Sequence, residues 1–521
     1  MRKLLSIALL ALIGCGTNQK TADQKAVRNL DPVPYANTIT EDELKTHLYT
    51  YASDEFEGRD TGSPGQKKAV AYLRDEYKSL NIPAAQKDGN YYQNVPLQKG
   101  SKLNSELTIN GKSYPFIEQF ISIRPNENGT TAFSEVVYLG YGIDDEKYSN
   151  YKGQDVEGKV ILIKLGEPKQ EDGNYVISGT EDATKWSGNV IQAIGAKLKA
   201  AEDHKAKGVL FYVDKLYPRV KAQFNYMRSN SSISLKGEAN TFFNYYIDTQ
   251  LATDLYPTIA ADENATTIKV DGTLINKDKI NDIDSENVVA IIKGSENPEE
   301  YIVISAHLDH EGIKARQIYN GADDDGSGTV AILEIAEAFQ KAQKEGNGPK
   351  RSIVFLHVTG EEKGLLGSRY YTDNPIFPLE NTVADLNIDM IGRIDPKRTE
   401  GDRNYIYLIG SDKLSTELHN ISEEINKKYT NIELDYTYND ENDPNRYYYR
   451  SDHYNFAKNN VPVIFYFNGT HDDYHKPTDT PDKINYDLLT NRTKLVFHTA
   501  WELANRDQRI VADKAKVKAT K

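Results

Sequence analysis

From Asn287 onward, short apolar runs alternate with amphipathic stretches, and this alternation constrains the fold more than any other feature of the chain. Residues 288–292, 301–305, 352–358 and 463–466 are rich in β-branched and aromatic side chains and read as strands, and residues 387–390 as a shorter one. Between them, residues 329–343 place Ile332, Leu333, Ile335, Ala336 and Phe339 on one helical face. Strands alternating with helices predict an α/β architecture, an open, mostly parallel mixed sheet flanked by helices. In such sheets, sites form where the strands run out into loops.

The earlier half of the chain is organised differently. Thr40 followed three residues later by Glu43 reads as a helix start. A Gly62, Ser63, Pro64 and Gly65 turn leads into a helix over 66–80, with Val70, Leu73 and Tyr77 at helical spacing, and 91–97 reads as a strand. Composition changes near residues 126–129. Beyond it, strand-like 134–142 and 158–164, a helical 190–204 and strand-like 208–213 form a set that resembles the protease-associated domain, an insert of several exopeptidases and sorting receptors. The expected division is 38–128 as the first part of the main domain, 129–260 as this β-rich α/β insert, and 261–507 as the second part. Residues 508–521 are a charged tail, expected to be disordered.

The 521 residues carry a formal net charge of −14, which disfavours a nucleic-acid partner, since such a partner needs a basic face. Cys15 is the one cysteine, so internal disulfides, Cys-rich zinc sites and iron–sulfur clusters are excluded, and any metal must be held by His, Asp and Glu. Arg2 and Lys3 precede an apolar stretch over 4–13 too short for a permanent membrane span, and Leu12, Ile13, Gly14 and Cys15 resemble the bacterial lipoprotein cleavage box. Residues 1–15 are thus expected to be a lipoprotein signal and 16–37 a polar spacer. The expectation is an exported, membrane-anchored bacterial lipoprotein, periplasmic or cell-surface, that meets the membrane only through a lipid on Cys15. The sequence leaves the oligomeric state open.

Five segments put metal-ligand types at strand ends: His307 and Asp309; Asp323, Asp324 and Asp325; Glu361 and Glu362; Asp389; and His475. Adjacent carboxylates repel unless a cation is present. In His-x-Asp, Asp309 is expected to accept from the second ring nitrogen of His307 and so fix its tautomer. Each segment alone has a plainer explanation, as a solvated cap or a surface histidine. Together they supply imidazole and carboxylate for a pair of zinc ions with a shared bridge.

The order of the motifs is His-x-Asp, Gly-Ala-Asp-Asp-Asp-Gly-Ser-Gly, Gly-Glu-Glu-x-Gly-Leu-x-Gly-Ser, Asn-x-Asp-Met-x-Gly and Asp-Tyr-His-x-Pro-x-Asp-Thr. This series resembles the co-catalytic dizinc exopeptidase family of bacterial secreted aminopeptidases, aminopeptidase Y and glutamate carboxypeptidase. The resemblance implies a zinc exopeptidase fold and two Zn2+ per chain. By position it implies His307 and Asp389 on one ion, Glu362 and His475 on the other, and Asp324 bridging, joined to Asp325 by a cis peptide. Glu361 would be the general base, Tyr474 the hydrogen-bond donor to the oxyanion, and Asp309 the residue orienting His307.

The implied reaction is removal of the N-terminal residue from peptides by a dizinc-activated water. A carboxypeptidase of the glutamate carboxypeptidase type is the alternative, and a glutaminyl cyclase-like enzyme or a binding module on the same fold is a more distant one. Tyr447 to His453 resembles the Ser-Asp-His segment of aminopeptidase-like members, where Arg450 and His453 could face substrate or be structural. His310, His357 and His471 are read as structural, with His357 buried and neutral.

Overall fold

The computed structural model describes residues 31–123, 128–229, 233–237 and 242–515. The signal, Cys15 and most of the expected spacer lie outside the described residues, as does the end of the tail.

Two sheets organise the chain. In the first, of nine strands, Arg351–Val358, Asn297–His307, Thr382–Ile388 and Val463–Phe467 lie side by side and parallel. Lys279–Ile292 and Tyr92–Lys102 extend one flank antiparallel. Tyr405–Ile409 and Glu433–Asp435 extend the other. Every residue of Arg351–Val358, Thr382–Ile388 and Val463–Phe467 is buried, because helices cover both faces. On one face, Gly328–Lys344 packs against Tyr486–Asn505, with Phe339 5.0 Å from Phe497 and 5.6 Å from Trp501 between ring centroids. The α/β class and the mixed sheet flanked by helices are as the alternation predicts, with the parallel pairing concentrated in the four central strands. The helix start at Thr40 is a side-chain N-cap: Thr40 Oγ1 accepts from Glu43 N–H at 3.3 Å and donates to Glu43 Oε2 at 2.7 Å.

The second sheet has eight strands. In spatial order they are Lys112–Tyr114, Ser105–Ile109, Thr266–Asn276, Gly129–Tyr138, Val160–Lys164, Gly208–Tyr212, Phe243–Ile247 and Phe120–Ile121. It reaches beyond the expected 129–260. Ser105–Ile109 and Thr266–Asn276 pair with each other and so belong to it, a long-range partnership that local composition does not register. Ile233–Leu235 leaves this region to pair with Tyr92–Lys102 at the edge of the first sheet.

Two end segments differ from expectation. Val33–Ala36, inside the expected spacer, is a helical turn whose Tyr35 is buried and stacks on Trp501 at 5.4 Å. In the expected tail, Ile510 is buried and Lys514 N–H donates to Leu414 O at 3.1 Å. Both hold because one large apolar side chain among polar neighbours finds a place on the core.

Candidate metal centre

The four central parallel strands end at one edge, and the five segments converge there. Asn297–His307 ends on His307 itself, and Thr382–Ile388 ends one residue before Asp389. Glu361 and Glu362 follow the end of Arg351–Val358 by three and four residues, and His475 lies on the loop after Val463–Phe467.

His307 Nε2 is 3.1 Å from Asp324 Oδ1 and 3.6 Å from Asp389 Oδ1. His475 Nε2 is 3.0 Å from Asp324 Oδ2 and 3.2 Å from Glu362 Oε2. Asp324 thus turns one oxygen to each imidazole. Its neighbours are occupied elsewhere. Asp325 accepts from the main-chain N–H groups of His307, Gly328 and Met390 at 2.9–3.2 Å. Asp323 Oδ1 accepts from Gly392 N–H at 2.7 Å, and its Oδ2 lies 3.2 Å from His471 Nε2. The Asp324–Asp325 peptide is cis.

One expected role is filled by different atoms. The partner of His307 Nδ1 is the main-chain carbonyl of Asp309, at 3.0 Å, and not its carboxylate. The strand ends at His307, so side chains two residues apart no longer share a side. The Asp309 carboxylate accepts instead from Thr61 Oγ1 at 2.7 Å and from Glu361 N–H at 3.2 Å, which ties it to the Glu361 turn.

Behind Asp389 runs a buried relay that the sequence did not suggest. Ser305 Oγ lies 2.9 Å from Asn387 Oδ1, Asn387 Nδ2 donates to Ser451 Oγ at 2.9 Å, and Ser451 Oγ donates to Asp389 Oδ2 at 2.6 Å. Asp389 Oδ1 is left facing His307. Arg59, also missed, is fully buried and makes no ion pair among the described residues. It donates to the carbonyls of Tyr51, Leu308, Asn320 and Gly321 at 2.7–3.2 Å and fastens the loops that carry His307 and Asp324.

The electrostatics show a site that attracts positive charge. Burial works against the His475 imidazolium, yet the Asp324 and Glu362 carboxylates lift its pKa to about 10. Burial and Asp324 push the Glu362 carboxyl up, but His310 and His475 hold it down at about 2. For Glu361 burial outweighs the opposing pull of His307 and, reinforced by Glu362 and Asp389, holds its carboxyl well above the usual carboxylate range. His307 Nε2, His310 Nδ1, Asp324 Oδ2 and Glu362 Oε1 are buried and have no hydrogen-bond partner. Partnerless ring nitrogens and carboxylate oxygens about 3–4 Å apart, in a set of nitrogen and oxygen donors, fit a borderline divalent cation such as zinc.

The cleft over this cluster is lined by the carboxylates of Asp324, Glu361 and Asp389 and by an apolar wall of Met390, Tyr447, Phe465 and Phe467. Tyr474 lines it too, its ring stacked 3.9 Å from that of His475, and burial beside Asp324 pushes its phenol pKa up, so the hydroxyl keeps its proton. Arg450 stands at the same cleft, over the ring of Tyr447 at 4.9 Å. His453 packs instead on Phe465 at 4.7 Å, and burial lowers its pKa to about 3. His357 is buried and neutral, its pKa lowered to about 3 by burial, with Nε2 2.7 Å from Tyr77 Oη. His310, read as structural, sits within the cluster, 3.0 Å from Glu362 Oε1.

Strand-end imidazoles and carboxylates around a shared aspartate, on an α/β sheet, form a donor cluster that could hold a metal ion. Residues 287–500 match the sequence model described as Peptidase family M28. Among similar proteins, a probable glutamate carboxypeptidase LAMP1 of Arabidopsis thaliana is 36% identical over 105 residues, 20% of this chain and 14% of that one. Aminopeptidase NAALADL1 of Mus musculus is 37% identical over 108 residues, again 20% of this chain and 14% of that one. A probable leucine aminopeptidase of Arthroderma otae is 30% identical over 224 residues, 42% of this chain and 57% of that one. The chain therefore spans less than two thirds of the length of each of these three. Among solved structures, an aminopeptidase from Aneurinibacillus sp. strain AM-1 aligns over 93% of this chain and 99% of its own, at 20% identity and a TM-score of 0.47.

Proposed function

We propose that the protein is a zinc-dependent exopeptidase that removes the N-terminal residue from peptides. The supporting observation is the position of Glu361. It lines the cleft beside Asp324 and Asp389, while its neighbour Glu362 turns to His475. One glutamate of the pair is left free for proton transfer and the other is placed for a cation.

His307 and Asp389 would hold one zinc ion, Glu362 and His475 a second, and Asp324 both. When bound, zinc supplies Lewis acidity toward a carbonyl and lowers the pKa of water. The remaining steps belong to the chain's own side chains. Glu361 accepts the proton of the attacking water and passes it to the departing amine, and its raised proton affinity suits the second task. The protonated Tyr474 hydroxyl donates to the developing oxyanion. Asp309 holds the Glu361 main chain in place through its N–H. Met390, Tyr447, Phe465 and Phe467 give the cleft beside these groups an apolar wall.

Arg450 favours a second reading, a carboxypeptidase. It stands at the cleft with no ion pair among the described residues, and a guanidinium suits a terminal carboxylate. The protease-associated-like region has an accessory role in this proposal. A lipid on Cys15 would hold the enzyme at an extracytoplasmic membrane surface.

The test is hydrolysis of a panel of peptides with free or blocked termini, with and without chelator. Cleavage that requires a free amino terminus and disappears with chelator is expected. Cleavage that requires only a free carboxyl terminus selects the second reading, and chelator-insensitive cleavage removes both.

A further inference from the structure

We propose that His310 is an additional ligand of the cation held by Glu362 and His475, an inference that rests on the metal-site reading above. His310 is fully buried, and neither of its ring nitrogens has a hydrogen-bond partner. A buried imidazole normally satisfies at least one nitrogen, so this ring is short of two partners. Its Nδ1 points at acceptors: Glu362 Oε1 at 3.0 Å and Asp324 Oδ2 at 3.7 Å. The nearer contact lacks hydrogen-bond geometry, and Glu362 Oε1 is itself buried and without a hydrogen-bond partner. Donor atoms on one tetrahedral cation, with bonds of ~2.0–2.1 Å, lie ~3.3 Å from each other. The separations of His310 Nδ1 from Glu362 and Asp324, and of His475 Nε2 from the same two carboxylates at 3.2 and 3.0 Å, fall around that spacing.

The backbone is built to hold this ring. Gly321, at φ +54°, lies so close that a Cβ there would come within 2.4 Å of His310 Cγ. The two imidazoles meet edge to face at 5.7 Å between centroids, as two rings approaching one point from different sides do. The cation at Glu362 would then have two imidazoles among its protein ligands. The one at His307 and Asp389 would have a single imidazole.

The experiment is titration of the chelator-stripped full chain with Co2+ and Zn2+, in wild type, His310→Ala and His310→Asn. Affinity is read by competition with a chromogenic chelator, and Co2+ coordination by its visible bands. Wild type is expected to bind two cations. In both variants one affinity should fall by at least about 10–100-fold, the loss that removing even an outer partner of a ligand brings, with weakened or shifted Co2+ bands, while the other cation is held as before. The asparagine variant keeps a polar group of similar reach and carries the test if the alanine variant does not fold. Unchanged affinities and bands in a folded variant would overturn the proposal and leave the metal-site reading standing. A wild-type chain that binds no cation would overturn both.

Discussion

Ser451→Ala probes the proposed metal centre without touching any of its proposed ligands. Ser451 is buried, and its hydroxyl donates to Asp389 Oδ2 at 2.6 Å. Asn387 Nδ2 donates to the same hydroxyl at 2.9 Å, which directs the serine proton at Asp389. With Oδ2 engaged, Oδ1 is the oxygen left for a cation beside His307. A hydrogen bond to a buried charged group contributes about 1.5–3 kcal/mol. Since about 1.4 kcal/mol is a tenfold change in affinity, its loss should weaken the cation at His307 and Asp389 by about 10–150-fold. The cation at Glu362 and His475 has no contact with Ser451 and should keep its affinity. The variant also leaves Asn387 Nδ2 unpaired, at a cost of about 1–3 kcal/mol in folding stability, which urea unfolding of the metal-free chain isolates. The assay is equilibrium competition with a chromogenic chelator, combined with metal content per chain. If Ser451→Ala retains two cations at wild-type affinity, Asp389 is not a ligand through Oδ1 and the assignment of that half of the centre is wrong.

Three further changes test other parts of the structure. Glu361→Gln should keep both metals and lose about 10²–10⁴-fold in turnover, measured by single-turnover kinetics beside metal analysis; a fully active variant would remove Glu361 as the base. Arg59→Lys replaces a planar fork that reaches four carbonyls with a compact ammonium, and should lower unfolding stability by at least about 3 kcal/mol in urea titration. Lys197 is buried in the second sheet region, donating to the carbonyl of Gly166 at 2.9 Å, and burial lowers its pKa from 10.5 to about 7. Between those two values the unfolded chain binds a proton that the folded chain does not, so stability rises with pH in this window. The stability of Lys197→Met relative to wild type should therefore fall as pH is raised from 7 to 10, by up to about 1.4 kcal/mol per pH unit; a pH-independent difference would refute the shift.

Much of the centre was legible in the chain itself. His307, Asp324, Glu362, Asp389 and His475 are separated by up to about 170 residues, yet each follows an apolar run or a glycine turn that local patterning identifies. Asp309 shows where this reading stops. Spacing placed its carboxylate on His307, but the strand ends at His307, and the carbonyl took the role while the carboxylate went to Thr61 and Glu361. Arg59 carries no local signal, because its partners Leu308 and Gly321 lie on distant segments; Ser451 belongs to the recognisable Ser-Asp-His segment, but its link to the distant Asp389 appears only in the fold.

The same division separates the elements. Strands and helices with a strong apolar period, such as Arg351–Val358 and Gly328–Lys344, are fixed by side-chain patterning and need no partner to be recognised. Ser105–Ile109 joins the second sheet, and Ile233–Leu235 crosses to the first, through main-chain pairing with strands more than 100 residues away. Main-chain hydrogen bonds are the same for every residue type, so the sequence cannot say which strands will share them. Amino-acid type decided which groups could bind a cation. Only the folded sheet, by ending four parallel strands at one edge, decided that His310 would stand among them and that Asp323 and Asp325 would not.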